Sequence, residues 1–313
     1  MKRQEPSAAR PPGQFLVWAT AFGVLFVLGA ALPGGAHAAD SGRKAFRVCA
    51  PPNNLPFSDR KEEGFENKVA HVFAKDLGLP VKYTWYPQQM GFGRNTLGKY
   101  LPKKGRYRCA VIMSTTKGLE AGQTTKPWYR STYVIVYRKD IADHPLKTPE
   151  DFLNLPKAKR SQLKIGVFTR SPGATWLVDH NLMDQASSYK MNSGSWQSYP
   201  GQVIARDMAR GDIDAAIVWG PIGGYFTKRL QNCDDCAHKD FGLIPMNGEK
   251  GYSFVYSISM GVRYSDDKWK ATLNHLIEKD RQQIDRILAA YHVPRVTKDG
   301  RVVWGQDQSS EGR

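Results

Sequence analysis

Two cysteines separated by two residues, Cys233 and Cys236, have the spacing in this chain that is most typical of redox or metal chemistry. A redox-active pair needs a thiol of lowered pKa at the start of a helix, whereas Asp234 and Asp235 between these cysteines would raise a thiol pKa. Haem attachment requires a histidine directly after the second cysteine, where this chain has Ala237. A zinc site requires a second ligand pair, and none is nearby. We therefore predict a structural disulfide in a loop and no metal site.

The other two cysteines, Cys49 and Cys109, lie in segments that are predicted to be strands. An even number of cysteines in an exported chain favours disulfides. Neighbouring strands would bring Cys49 and Cys109 together, although the sequence alone does not fix the pairing.

Catalytic chemistry would have to depend on Glu66, the carboxylate best placed at the mouth of the predicted cleft. General acid–base catalysis normally needs a titratable pair within hydrogen-bond reach of the reacting atom. A lone glutamate at the start of a helix more often interacts with the helix dipole. The sequence contains no nucleophile elbow, phosphate loop or metal triad. We therefore predict that the protein is not an enzyme.

The elements that must position these residues alternate between strands and helices. Strands are predicted at residues 46–50, 81–85, 109–113, 133–137, 163–168, 213–219 and 254–262, with a further segment at 241–245. Helices are predicted at residues 64–78, at 203–209 and at 269–291, the last as one helix or as two with a bend. Two more helices begin after Thr148 and Ser171, where a proline takes the first helical position.

This alternation predicts an α/β fold with mixed, mostly parallel sheets flanked by helices. The repeated pattern suits two α/β lobes, with the second inserted into the first. Residues 44–132 and 260–306 would form the first lobe, residues 133–259 a second, inserted lobe, and residues 307–313 a flexible tail.

In such sheets ligands lie outside the carboxyl ends of the strands. The residues that follow the predicted strands are mostly amides, hydroxyls and aromatics, which indicates a weakly polar, aromatic cleft. The candidate ligand- or partner-binding residues are Asn53, Asn54, Phe57, Glu66, Tyr86, Gln88, Arg94, Ser114, Thr115, Thr169, Ser171, Trp219 and Tyr225.

The first 38 residues have the features of a secretory signal peptide. Lys2 and Arg3 precede an apolar run at residues 15–32, and Ala36-His37-Ala38 provides a cleavage site. An uncleaved membrane anchor is the alternative, since the run reaches the lower edge of the length that spans a bilayer. We predict a periplasmic protein that is not integral to the membrane after cleavage.

The chain is strongly basic, with a formal charge of +16. Residues 1–38 carry three bases and one acid, so their removal leaves +14. Export argues against a nucleic-acid partner, and the bases are scattered except at Lys103, Lys104, Arg106 and Arg108. The remaining explanations of the positive charge are an acidic protein partner or simple solubility.

Several segments resemble the family 3 extracellular solute-binding proteins, the receptors of amino-acid import systems. The resemblance implies the two-lobed, type II periplasmic binding protein fold. They are GFENKVAHVFAKDLGLPVKYTWYP, DAAIVW and SISMGVRYSD. That family holds the amino-acid carboxylate with an arginine and the ammonium group with an aspartate. This chain has Leu119-Glu120-Ala121 at the first place and Trp219 at the second. The departures imply that it does not bind amino acids.

A narrower resemblance, to the methanol-dehydrogenase-associated MoxJ and XoxJ family, rests on RVCAPPNNLPFSDRKEEGFENKVAHVFAKDLGLPVKYTWYPQQMGFGRNTL, IDAAIVWGPIGGYF and SISMGVR. It implies a non-catalytic periplasmic accessory protein that assembles or activates the methanol dehydrogenase that depends on pyrroloquinoline quinone (PQQ). The dehydrogenase subunits would be its partners. No cofactor would be permanently bound, and a transient contact with PQQ is left open. The alternative is a solute-binding protein of an ABC transporter for a larger aromatic or anionic ligand such as PQQ.

Overall fold

The computed structural model describes residues 42–119, 122–191, 194–197 and 199–305. The predicted signal peptide, the predicted tail at 307–313 and the pair Glu120 and Ala121 lie outside the described residues. None of the helices in the described ranges combines the length and the apolar character that a membrane crossing requires.

The strands of the described residues vary from short bridges to one strand of 16 residues. They are β1 (Phe46–Ala50), β2 (Asn53–Asn54), β3 (Ser58–Asp59), β4 (Val81–Trp85), β5 (Tyr100–Leu101), β6 (Arg106–Tyr107), β7 (Val111–Thr115), β8 (Gln123–Arg138), β9 (Ile165–Phe168), β10 (Ala186–Tyr189), β11 (Ala215–Trp219), β12 (Phe241–Pro245), β13 (Val255–Val262), β14 (Arg295–Val296) and β15 (Val302–Val303).

The helices of the same residues mostly follow strands. They are α1 (Phe65–Asp76), α2 (Phe92–Asn95), α3 (Pro149–Leu153), α4 (Lys157–Arg160), α5 (Pro172–Asp179), α6 (Pro200–Arg210), α7 (Gly220–Leu230), α8 (Asp267–Lys279) and α9 (Arg281–Ala290). Short 3₁₀ turns lie at Pro102–Lys104, Lys139–Ile141 and Met183–Gln185.

The main sheet has the strand order β10-β9-β11-β8-β13-β7-β1-β4, and β12 also pairs with β8. β1 is parallel to β4 and β7, and β9 is parallel to β10 and β11. β8 links the two parallel groups: residues 123–132 pair with β13, and residues 133–138 pair with β11 and β12. The predicted α/β class, with a mixed sheet flanked by helices, is confirmed, while the predicted lobe boundaries stay a prediction.

The first core cluster is built on α1, whose apolar residues recur at helical spacing. Phe65, Val69 and Phe73 are fully buried and pack with β1, α8 and α9. Full burial of one such side chain stabilises a fold by about 1.5–3 kcal/mol. This packing holds the start of α1, and with it Glu66, against the sheet.

The second parallel group is buried on both faces, as the strand sequences predict. Ala215 and Ile217 of β11 belong to one core cluster, while Ala216 and Val218 belong to another on the opposite face. Successive side chains of a strand point to opposite faces of the sheet, and here both faces are buried, which accounts for the continuous apolar run before Trp219.

Two strand predictions are corrected. The strand predicted at residues 109–113 begins at Val111, because Cys109 lies before it and is held by its disulfide. The strand predicted at 133–137 is only the end of β8, which begins at Gln123 and includes Pro127. The register between β8 and β13 shifts beside Pro127, and such irregularities accommodate a residue that has no N–H to donate.

Several boundaries agree with the predictions. Thr148 and Ser171 are the N-caps of α3 and α5, each followed by proline. Gly211 ends α6 in a left-handed conformation, with φ 78°. The C-terminal helical region consists of two helices that meet at Asp280, as the two-helix alternative predicted.

Candidate functional site

A cavity of about 400 Å³ lies at the carboxyl ends of the strands. Seven of the predicted cleft residues line it: Asn54, Phe57, Glu66, Gln88, Ser114, Thr115 and Trp219. Parallel strands end at the same edge of a sheet, so Ser114 and Thr115 of β7 and Cys49 of β1 all line the cavity. Residues from both parallel groups of the main sheet thus form the wall of one cavity.

Glu66 is the acidic group of this cavity. It is the second residue of α1 and is only 6% exposed. Burial raises the pKa of its carboxyl group to about 7, and the neighbouring Ser114 hydroxyl opposes part of that shift. The described lining of the cavity contains no lysine or arginine, so no positive side chain offsets the negative charge of Glu66 there.

A close backbone contact sets the position of Glu66. The Glu66 amide donates a hydrogen bond to the Phe57 carbonyl oxygen at 2.9 Å. A Cβ atom at Gly64, the N-cap residue, would lie 2.0 Å from that same oxygen. Only glycine therefore lets α1 begin against the Phe57 segment, which is what places the carboxyl group in the cavity.

Ser114 Oγ and Tyr129 OH are buried near Glu66, and they lie close enough to it and to each other to affect ionisation, but neither makes a hydrogen bond of ordinary geometry with a described residue. Burial, followed by the charge of Glu66, raises the pKa of Tyr129 far above its ordinary value. Tyr129 therefore remains a neutral hydrogen-bond donor. These hydroxyls and the carboxyl group can donate to and accept from a bound polar group or an internal water.

Trp219 ends β11 and forms an aromatic part of the cavity wall, beside Tyr129 of this polar group. Its ring centroid lies 5.4 Å from that of Tyr133 and 5.8 Å from that of Tyr256, in edge-to-face contacts. It also packs against the first and second core clusters. Trp219 is the N-cap residue of α7 but makes no side-chain capping bond. An aspartate here would be a good cap and an anionic ligand for an amine, and tryptophan provides neither.

Six predicted residues are not part of the cavity lining. Five of their side chains have other neighbours: Asn53 donates to the Gln197 carbonyl, Tyr86 accepts from Gln89, Thr169 donates to the Tyr189 carbonyl, Ser171 caps α5, and Tyr225 stacks on Tyr291. Arg94 lies within the single turn of α2. The strand-end rule selects segments and could not predict these local bonds.

The sequence reading missed several apolar lining residues. They are Pro51, Phe92, Gly93, Ile112, Leu119, Tyr133, Phe168, Met191, Pro200, Gly201 and Ile222. Phe168 is the last residue of a predicted strand, so the same strand-end rule could have identified it as a lining residue. Met191 lies in an irregular segment and Phe92 begins the single-turn helix α2, and neither segment is long enough for hydrophobic periodicity to give an indication.

Both predicted disulfides are present. Cys49 and Cys109 have Cα atoms 5.5 Å apart, and Cys233 and Cys236 have Cα atoms 5.6 Å apart. Cys49 also lines the cavity, so the first disulfide fixes part of its wall. Within the described ranges, no cluster of three or more histidine, cysteine or acidic side chains is arranged to hold a metal ion.

Comparison with known proteins places the chain among relatives of similar length. No family model matches it. It is 25% identical to the protein MoxJ of Paracoccus denitrificans over 79% of this chain and 88% of the relative. It is 27% identical to the MoxJ protein of Methylorubrum extorquens over 83% of this chain and 84% of the relative.

Solved structures give the same result. The periplasmic binding protein XoxJ from Methylobacterium extorquens AM1 superposes with a TM-score of 0.63 at 29% identity, covering 81% of this chain and all of that protein. MxaJ from Methlophaga aminisulfidivorans shares the fold at 19% identity, with a TM-score of 0.61, over 80% of this chain and 100% of that protein. An ancestral cationic amino-acid binding protein shares it at 15% identity, with a TM-score of 0.58, over 80% of this chain and 96% of that protein. The chain is therefore similar over about four-fifths of its length to proteins named MoxJ and to the periplasmic binding protein XoxJ, and it shares its fold with an amino-acid binding protein.

Proposed function

We propose that this protein is a non-catalytic periplasmic accessory protein of methanol oxidation, which binds PQQ-dependent methanol dehydrogenase during its assembly or activation. The relatives named MoxJ and XoxJ support the pathway. The observation that carries the proposal is the cavity: it keeps the place of a solute site but lacks the pair of opposite charges that would hold an amino acid.

The missing positive charge weighs most against amino-acid binding. A zwitterion has a carboxylate that must exchange its water for a donor, and charge-assisted bonds contribute about 1.5–3 kcal/mol each. The described lining offers that carboxylate only neutral groups, and Glu66 beside it would repel it when ionised. Leaving a carboxylate unpaired in such a site is costly.

The same charges argue against PQQ as the occupant of the cavity. PQQ is a flat quinone that carries three carboxylic acids, so a site for it should provide several cationic donors. The aromatic wall at Trp219 would suit its rings, but the described lining contains Glu66 and no lysine or arginine. The residues therefore do not fit this cofactor, and the proposal concerns the dehydrogenase polypeptide rather than PQQ.

Catalysis by this chain would require a partner for Glu66. Its described neighbours in the cavity are hydroxyl, amide and aromatic groups, and none of these titrates near neutral pH. One carboxyl group without a second acid, base or nucleophile does not form the pair that acid–base chemistry normally uses.

The test is a deletion strain grown on methanol, with dehydrogenase activity and PQQ content measured separately. We expect low activity with dehydrogenase polypeptide and PQQ still present, and recovery when the gene is restored. A strain restored with Trp219→Asp should show reduced recovery, whereas Trp196→Asp, at an exposed tryptophan outside the cavity lining, should recover fully. Normal activity in the deletion strain, together with no dehydrogenase in pull-downs from the periplasm, would exclude the proposed function.

A further inference from the structure

One long segment of the chain is basic without interruption. Residues 77–119 contain eight lysines and arginines and no aspartate or glutamate. The bases are densest from Lys99 to Arg108, a stretch that contains the β5–β6 hairpin. We refer to residues 99–108 as the basic hairpin.

The basic hairpin presents aromatic rings together with its charges. Tyr100 and Tyr107 are 46% and 37% exposed, and their ring centroids lie 5.1 Å apart in an edge-to-face contact. Lys99, Lys103 and Lys104 are exposed beside them. Tyrosine and arginine are enriched at protein interfaces, because they combine contact area with hydrogen bonding.

The positive charges of the basic hairpin are not neutralised within the described chain. Lys99, Lys103, Lys104 and Arg106 form no ion pair with any described residue. A further base, Arg47, lies near Arg106. The pKa of Arg47 is lowered by burial and by the positive charge of Arg106. Like charges held together destabilise one another, and a surface rich in carboxylates would relieve that repulsion.

The hairpin is also held rigidly at its base. The Arg108 amide donates to the Lys99 carbonyl at 3.0 Å, and Thr84 Oγ1 donates to the Arg108 carbonyl at 2.9 Å. The next residue, Cys109, is cross-linked to Cys49 and accepts a bond of 2.6 Å from Arg263. The Arg263 guanidinium in turn lies 4.3 Å from the centre of the Tyr107 ring. A preorganised surface loses little entropy on binding.

We infer that the basic hairpin is a docking surface for a carboxylate-rich face of the dehydrogenase. Its lysines would steer the encounter, and its two tyrosines would form the close contact. This inference rests on the proposed function, and it adds the place and the chemistry of the contact. It adds a docking contact outside the cavity to whatever contact the cavity makes, because no hairpin residue belongs to the cavity lining.

The test measures association of the mature protein with immobilised PQQ-dependent methanol dehydrogenase at low and at physiological ionic strength. Lys103→Glu/Lys104→Glu should slow association about tenfold or more at low ionic strength and weaken its salt dependence. Tyr100→Ser/Tyr107→Ser should mainly speed dissociation, by about tenfold. The matched control is Lys157→Glu/Lys159→Glu on the exposed α4 turn, which changes the net charge equally. Melting temperatures confirm that each variant is folded.

Each other outcome overturns the inference. Equal slowing by the control pair would assign the effect to net charge rather than to the hairpin. Equal binding to vesicles of anionic phospholipid would assign the hairpin to a membrane surface. If the wild type binds and the hairpin variants bind equally well, the hairpin is not the docking surface, but the proposed function still stands. Absence of wild-type binding would remove both.

Discussion

Replacement of Glu66 by glutamine should stabilise the protein, and the gain should grow as the pH rises from 5 to 8. In the folded chain the pKa of Glu66 is about 7, against 4.5 for an unperturbed glutamate. Because the folded pKa is raised, the unfolded chain ionises first as pH increases, and the folded state loses stability between pH 4.5 and 7. The loss is complete above the folded pKa.

The magnitude follows from the size of that shift. Each pKa unit corresponds to about 1.4 kcal/mol, so the raised pKa of Glu66 costs the folded state about 3 kcal/mol at pH 8 and about 1 kcal/mol at pH 5. At pH 5 the cost arises because the unfolded chain ionises while the folded chain stays protonated. Glutamine has nearly the same shape and no charge. The difference in unfolding free energy between Glu66→Gln and the wild type should therefore grow by about 2 kcal/mol from pH 5 to pH 8.

The assay is guanidinium unfolding followed by tryptophan fluorescence at both pH values, with the disulfides intact. Glu150→Gln is the matched control, because Glu150 is likewise the second residue of its helix, α3, but is exposed. Its substitution should change stability by less than about 0.5 kcal/mol at either pH. A Glu66→Gln effect that is independent of pH, or a variant that is less stable than the wild type at pH 8, would refute this account of the buried carboxyl group.

Two further predictions concern the framework of the cavity. Gly64→Ala should destabilise the protein by about 3 kcal/mol, because the added Cβ would lie 2.0 Å from the Phe57 carbonyl oxygen. The control Gly248→Ala should be nearly neutral, because its added Cβ would have no atom within 4 Å. Equal effects of the two substitutions in thermal unfolding would contradict the close contact. Removal of the Cys49–Cys109 disulfide by paired serine substitutions should cost about 4 kcal/mol and removal of Cys233–Cys236 about 1–2 kcal/mol, because their sequence separations are 60 and 3. Equal losses in denaturant unfolding would show that loop closure is not the main source of this stability.

The parts of the fold with a strong local signal could be predicted from the sequence. The fully buried positions Phe65, Val69 and Phe73 repeat at the period of a helix, and Ser171 before a proline marked the start of α5. The Trp219 segment was recognised because an apolar run stops abruptly at a glycine and a proline. Each of these features depends on neighbours in sequence.

The remaining features depend on long-range contacts. The first half of β8 was missed because Pro127 and the polar residues around it do not look like a strand until β13 is placed alongside. Thr169 and Ser171 follow a strand as predicted, yet local hydrogen bonds hold their side chains outside the cavity lining. The raised pKa of Glu66 comes from burial that only tertiary packing creates.

The central claim is that a fold shared with amino-acid receptors now binds a dehydrogenase instead of a small zwitterion. Isothermal titration calorimetry tests it most directly, with the mature protein titrated separately with methanol dehydrogenase subunits and with each common amino acid. The account predicts saturable heat with the dehydrogenase and none with any amino acid. Saturable heat with an amino acid, and none with the dehydrogenase, would contradict it.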